Sequence, residues 1–321
     1  MGKIASIDLS LKNIWQSWFE FKKGKKATPE LAEFQFNLES DLYKLFLELN
    51  NNSYKHGPYR EFTVCDNKKR EISVATIRDR VVHRLVYDYL TAIYDKTFIF
   101  DAWSCRKGKG LMGAVDRTQK FIKKYGNGFV WRADIKKFFD NVNHDVLLNI
   151  LKRKIKNKKA FLLLTEIIKS FSTKKGKGMP IGNLTSQILS NIYLNELDRY
   201  IKHDLKIKAY LRYGDDFLIF NNNSSDLGEI RISTANFLKD KLDLELHAKN
   251  NLIIETRHRL KFLGLIFDPN SRGLNRRNNK RLRSKLNMTN MSSYWGIVKK
   301  QLDTRAIQEF QWRLIEKMPQ L

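Results

Sequence analysis

Three carboxylates carry the chemistry available to this sequence. Asp215 and Asp216 are adjacent in Tyr213-Gly214-Asp215-Asp216, and Asp134 opens the string Asp134-Ile135-Lys136-Lys137-Phe138-Phe139-Asp140. An Asp-Asp pair alone is ordinary composition for a solvated turn. A third acid at the end of another apolar segment changes the reading. Together the three could hold two Mg²⁺ ions about 3.5–4 Å apart, which clamp the attacking and leaving oxygens of an in-line phosphoryl displacement. Mg²⁺ suits such a set because it takes a few carboxylates and fills its shell with water and substrate phosphates.

The elements that must position these acids are short and apolar. Ile207–Tyr213 and Phe217–Phe220 are rich in aromatic and β-branched residues and predict two strands, with Gly214-Asp215-Asp216 as the hairpin turn between them. Gly128–Asp134 predicts a further buried strand. From Gly128 to Glu255 the order is strand, helices, strand, strand, helix, strand, which is the split βαβ arrangement. Such a sheet puts Asp134 and the Asp215 turn on neighbouring strands.

A second stretch is Gly178-Met179-Pro180-Ile181-Gly182-Asn183-Leu184-Thr185-Ser186-Gln187. Pro180 and Gly182 predict a turn, and Asn183, Thr185 or Ser186 can cap a helix running to about Leu205. Upstream, Tyr59–Cys65 and Glu71–Val74 flank Asn67-Lys68-Lys69-Arg70 and predict a hairpin with a basic turn. A helix follows to about Ile93.

In order, spacing and strand context, these stretches resemble the palm and fingers of a reverse transcriptase. Asp134 is similar to the acid of the family's first palm motif, and Tyr213–Asp216 to its YxDD box. The resemblance covers residues 56–270. It implies an α+β right-hand polymerase with fingers, a ferredoxin-like palm and a helical thumb. The implied domains are a basic helical extension over 1–55, fingers and palm over 56–270, and a thumb of about three helices over 271–321. No further segment is expected to house a nuclease domain.

The same resemblance implies roles. Asp134, Asp215 and Asp216 hold two Mg²⁺ ions, with the Ile135 carbonyl as an added ligand. Lys249 assists the departing pyrophosphate. Arg70, with Lys68 or Lys69, closes on the incoming triphosphate; a solvated β-turn is the alternative. Phe139 packs under the sugar and leaves no room for a 2′-hydroxyl, unless it is core. Ile181, Gly182, Gln187 and Tyr213 line the nucleotide. Arg106, Lys107 and Lys109 contact the template, Phe262 and Gly264 belong to a primer-grip hairpin, and Arg276 and Arg277 track the primer–template backbone.

The form I-G-x-x-x-S-Q at Ile181–Gln187 resembles diversity-generating retroelement enzymes. Most reverse transcriptases carry Gln before the glycine and end this motif in Ser-Pro. The resemblance implies template RNA with structured flanks, a primer and its cDNA, dNTPs, a small basic accessory protein oligomer, and errors at template adenines. Retron, abortive-infection and group II intron enzymes remain alternatives. So does a non-catalytic RNA-binding protein on a polymerase scaffold.

Composition bounds these readings. The chain has 321 residues, 60 Lys+Arg against 34 Asp+Glu, and a formal charge of +26. Excess positive charge spread along most of the chain points to a polyanionic partner, most simply nucleic acid. No long apolar span argues for a membrane partner. Cys65 and Cys105 stand far apart without Cys/His ligand spacing, so neither a disulfide framework nor a zinc site is indicated. A cytoplasmic setting in a bacterium or phage is expected. Met1–Ser6 also matches the short, permissive myristoylation pattern. Near the N-terminus, Trp15, Trp18, Phe19, Leu38, Leu42, Leu45, Phe46 and Leu49 recur at helical spacing and predict core positions, with Lys22–Lys26 as a loop.

Overall fold

The structure is a computed structural model and describes residues 6–65 and 69–285, together with 307, 308, 310–312 and 315. Lys68, the first five residues of the myristoylation pattern and most of the thumb beyond residue 285 lie outside the described residues. The chain divides into two compact units: residues 1–99, 135–200 and 235–245, and residues 100–134, 201–234 and 246–321.

The first unit begins with helices α1 (Leu11–Lys22), α2 (Pro29–Phe36) and α3 (Leu38–Asn50). Helix α2 starts at Thr28, whose hydroxyl accepts from the Leu31 amide, and Pro29 occupies the first turn, where its missing N–H is harmless. Trp18, Leu42, Leu45 and Leu49 are buried as their spacing predicts, whereas Phe19 is 55% exposed. Strands β1 (Arg60–Cys65) and β2 (Lys69–Val74) form an antiparallel hairpin. Helix α4 (Ile77–Tyr94) buries Val81, Val82, Leu85, Val86 and Leu90, a stripe at helical spacing. The unit is completed by α6 (Phe138–Asn141), α7 (His144–Lys154), α8 (Lys158–Lys169) and α9 (Leu184–Arg199).

The second unit holds α5 (Leu111–Lys124) and a four-stranded antiparallel sheet. Its strands are β3 (Phe129–Asp134), β4 (Tyr210–Tyr213), β5 (Asp216–Asn221) and β6 (Leu252–Glu255), in the order β4-β5-β3-β6. Helix α10 (Ser224–Leu242) lies between β5 and β6 in the chain. This is the predicted ferredoxin-like strand order. Strand β4 is shorter than its apolar run suggests and begins only at Tyr210.

Alternation divides the sheet into two faces. Val130, Leu218 and Phe220 share a core with α5 (Ala114, Val115, Phe121 and Ile122) and with Leu260, Phe262, Leu265 and Phe267. These last four lie on β7 (Leu260–Phe262) and β8 (Leu265–Phe267), which with β9 (Arg272–Leu274) form a small antiparallel sheet before α11 (Arg276–Lys285). On the other face Trp131 and Phe217 meet edge to face, with ring centroids 5.2 Å apart. Both are fully buried, and each such side chain contributes about 1.5–3 kcal/mol or more. Among the described residues no helix is long and apolar enough to cross a membrane.

Candidate active site

The register places two of the three acids. Asp134, the last residue of β3, lies directly opposite Asp216, the first residue of β5. Directly opposed residues in an antiparallel pair have Cβ atoms about 4.5–5.5 Å apart, and like charges there are destabilising. Two facing carboxylates concentrate negative charge at the end of the sheet. Both acids are half-buried at the sheet end.

The turn differs from the one expected. Tyr213 pairs with Asp216, so the loop is two residues, Gly214 and Asp215, and Asp216 belongs to the strand. Gly214 has φ 66° at the first central position, as a type II′ turn requires; only Gly takes that conformation at little cost. Asp215 is therefore in the turn, not on the strand face that carries Asp216. Among the described residues no three His, Cys, Asp or Glu side chains are gathered closely enough to hold a metal ion. The expected three-acid cluster is thus a facing pair, Asp134 and Asp216, with Asp215 beside it in sequence. Two carboxylates suit Mg²⁺, which completes its shell with water and phosphate oxygens.

Two residues that the sequence reading did not single out surround the pair. Asn250 Nδ2 donates to Asp134 Oδ2 at 3.0 Å. Arg132 Nη2 lies 3.7 Å from Asp216 Oδ1, while its Nη1 donates to the Lys261 carbonyl at 2.5 Å. A signal for Arg132 was present: it stands two residues before Asp134, on the same strand face, in an otherwise apolar strand. Lys249 is exposed in the short 3-10 turn Ala248–Asn250, one residue from the contact to Asp134. Tyr213 is half-buried, and burial, then the nearby Cys105, raise its phenol pKa. In the turn the Gly214 amide donates to Ser104 Oγ at 2.9 Å, and buried Arg212 Nη1, from β4, donates to the Gly214 carbonyl at 2.9 Å, which pins the turn.

The basic loop Cys105–Gly110 is partly engaged with its own unit. Lys109 Nζ donates to the Phe100 carbonyl at 2.8 Å and lies 3.4 Å from the Phe100 ring centroid. Arg106 Nη1 donates to the Ala102 carbonyl at 3.1 Å, whereas Lys107 is exposed. In the small sheet Phe262 is 1% exposed and belongs to the core, so its expected part in primer contact is confined to backbone. Leu263 and Gly264 make the β7–β8 turn, and Asn278 Nδ2 donates to the Gly264 carbonyl at 3.0 Å. Arg276 and Arg277 open α11 and are exposed.

The first unit carries the other expected contacts. Lys69 and Arg70 lie in β2 rather than in the turn, with Arg70 paired to Val64 and exposed. Ile135 is 1% exposed. Phe138 is core at 2% exposed, and Phe139 is half-buried against it. The Ile181 carbonyl accepts from the Ser73 amide at 3.0 Å. Gly182 has φ 118°, and a Cβ there would come within 2.8 Å of Ile72 Cγ2, so only glycine lets the loop approach β2 this closely. Asn183 stands at the helix N-cap position but makes no capping bond. Its amide instead donates to the Ser73 carbonyl at 2.7 Å and accepts from the Ala75 amide at 3.0 Å. Ser186 Oγ donates to the Pro180 carbonyl at 2.7 Å, closing the turn, and Gln187 is exposed. The capping expectation is corrected: these side chains fasten the loop to β2 and to itself.

Residues 54–267 match the protein family described as reverse transcriptase (RNA-dependent DNA polymerase). The chain is 24% identical over 310 residues to a putative COX1/OXI3 intron 2 protein of Saccharomyces cerevisiae, covering 75% of this chain and 36% of that protein. It is 24% identical over 299 residues to the group II intron-encoded protein LtrA of Lactococcus lactis subsp. cremoris, covering 70% and 49%. The chain thus spans less than half the length of these two relatives. The solved structure of Candida albicans telomerase with a fragment of telomeric RNA superposes with a TM-score of 0.51 at 12% identity, covering 86% of this chain and 60% of that one. At that identity the likeness establishes the mixed helix-and-sheet polymerase fold and nothing further.

Proposed function

Because the chain belongs to the reverse transcriptase family, we propose that it is an RNA-directed DNA polymerase that extends a primer on an RNA template at the Asp134–Asp216 pair. The observation that carries this reading is the register that sets these two carboxylates face to face at the end of the sheet. Family members work with divalent metal ions; the reading assigns Mg²⁺, held by Asp134 and Asp216 with Asp215 alongside. The chemistry supplied by the bound ions is activation of the primer 3′-hydroxyl and neutralisation of charge on the triphosphate. Asn250 orients Asp134. Lys249, exposed beside it, is the candidate cation for the departing pyrophosphate. Arg70, exposed on β2, is the candidate for the incoming triphosphate, since its planar fork matches phosphate oxygens. Phe139 is assigned the sugar, where a ring excludes a 2′-hydroxyl.

We infer further that the enzyme serves a diversity-generating retroelement, making adenine-mutagenised cDNA from a structured template RNA with a small basic accessory protein. The Ile181-Gly182…Ser186-Gln187 string supports this reading. A β-branched Ile can only pack where a Gln could hydrogen-bond near the template strand. Substituting Ile181→Gln and sequencing the cDNA tests it: fewer errors at adenines are expected, and an unchanged error spectrum counts against the role of Ile181. A second reading, an intron-type reverse transcriptase, is favoured by the intron-encoded relatives. Uniformly accurate cDNA from the wild type would select it.

A further inference from the structure

We propose that Asn250 is a positioning residue for Asp134, holding one oxygen of that carboxylate so that the other faces the cation shared with Asp216. This rests on the polymerase reading above. An ionised carboxylate only accepts, so the amide nitrogen of Asn250 must face it, and Nδ2 donates to Oδ2 at 3.0 Å. The donor is fixed on both sides. The His247 amide donates to the Asp134 carbonyl at 2.8 Å, and the Asn250 amide donates to the His247 carbonyl at 3.0 Å. One residue further on, Asn251 Oδ1 accepts from Trp131 Nε1 at 2.7 Å, and the Trp131 side chain is fully buried. The segment from His247 to Asn251 is thus fastened to β3 at Trp131 and at Asp134, and Asn250 lies between the two fastenings.

The choice of side chain carries the rest of the inference. Asn250 is neutral, so it orients Asp134 without subtracting from the negative charge that attracts a cation. A lysine or arginine in its place would bind the carboxylate more strongly and compete with the metal. Arg132 Nη2 lies 3.7 Å from Asp216 Oδ1 and its Nη1 donates to the Lys261 carbonyl, so this cation sits beside Asp216 and not in the place of Asn250 at Asp134. Carboxylates that ligate metals are commonly held by such neighbours, whose removal lowers metal affinity.

The experiment compares wild type with Asn250→Ala, the near-isosteric Asn250→Leu, the donor-restoring Asn250→Gln and Asp134→Ala. Mn²⁺ binding is read by electron paramagnetic resonance, the Mg²⁺ dependence by primer extension, and folding by thermal denaturation. The alanine and leucine variants should weaken Mn²⁺ binding and raise the half-saturating Mg²⁺ concentration by about 10-fold, the lower end for loss of such support. Their rates should recover toward wild type at saturating Mg²⁺, and Gln should restore much of the affinity. If alanine does not fold, leucine fills the same space without a donor and decides the matter. Unchanged metal affinity in the folded variants, with Asp134→Ala inactive, overturns the role of Asn250 and leaves the polymerase reading standing. Wild-type extension by Asp134→Ala overturns the polymerase reading itself.

Discussion

Replacing Asn183 separates two roles that its position at the start of α9 would allow. Its side chain bridges the Ser73 carbonyl and the Ala75 amide, at 2.7 and 3.0 Å, and makes no capping bond. Asn183 is 2% exposed, Ser73 4% and Ala75 2%. Asn183→Ala therefore leaves a buried carbonyl and a buried amide without that partner. Each orphaned group costs about 1–3 kcal/mol, so the variant should lose about 2–6 kcal/mol. Asn183→Ser is the sharper probe. Serine is among the preferred N-cap residues but is too short to span both groups. If the bridge matters, serine is destabilised nearly as much as alanine; if capping matters, serine is close to wild type. Urea denaturation followed by tryptophan fluorescence gives the stability, and hydrogen exchange at the Ala75 amide gives the local opening. A serine variant of wild-type stability, with Ala75 still protected, would refute the bridging account. The bridge ties the Ile181–Gln187 loop to the hairpin strand that carries Arg70, so both variants should also raise the KM for dNTP.

Two further outcomes follow from the same geometry. Asp216→Asn removes one of two facing like charges, worth about 0.2–1 kcal/mol; it should keep or slightly raise Tm while abolishing primer extension, and a large loss of stability would contradict this. Acid should destabilise the first unit through His83. Burial first, and then the neighbouring His56, push the His83 pKa down from 6.5 to about 3. The unfolded chain then binds a proton that the folded chain refuses, so this contribution is complete above pH 6.5 and is lost as pH falls toward 3. Its Nδ1 is buried without a partner among the described residues, and its Nε2 lies 3.1 Å from His56 Nε2. His83→Gln should flatten Tm against pH over that window; an unchanged slope would assign the acid sensitivity elsewhere.

Much of this was legible in the sequence because local pattern and tertiary need agree. The short apolar, aromatic-rich runs at Gly128–Asp134 and Phe217–Phe220 identify buried strands, and the order of elements fixes which of them become neighbours. The register of Asp134 against Asp216 follows from the sheet. What escaped was set by hydrogen bonds between residues distant in sequence. Asn250 meets Asp134 across 116 residues, and Asn183 meets Ser73 across 110. Nothing in the neighbours of either asparagine signals its partner. Asn183 has the propensity of a cap, but two buried backbone groups, one at Ser73 in β2 and one at Ala75 just after it, make a stronger claim on its amide. The polar run Asn67–Arg70 between two apolar segments predicts a basic turn, yet the β1–β2 ladder extends to Cys65 and Lys69 and takes Lys69 and Arg70 into the strand.

The most direct test of the account is primer extension on an RNA template with Mg²⁺ and all four dNTPs, comparing wild type with Asp134→Asn, and measuring RNA binding in the same preparations with and without a candidate accessory protein. The wild type should synthesise DNA, and the variant should make none at unchanged RNA affinity. Equal synthesis by the variant, or RNA binding by the wild type with no DNA made in either preparation, would contradict it.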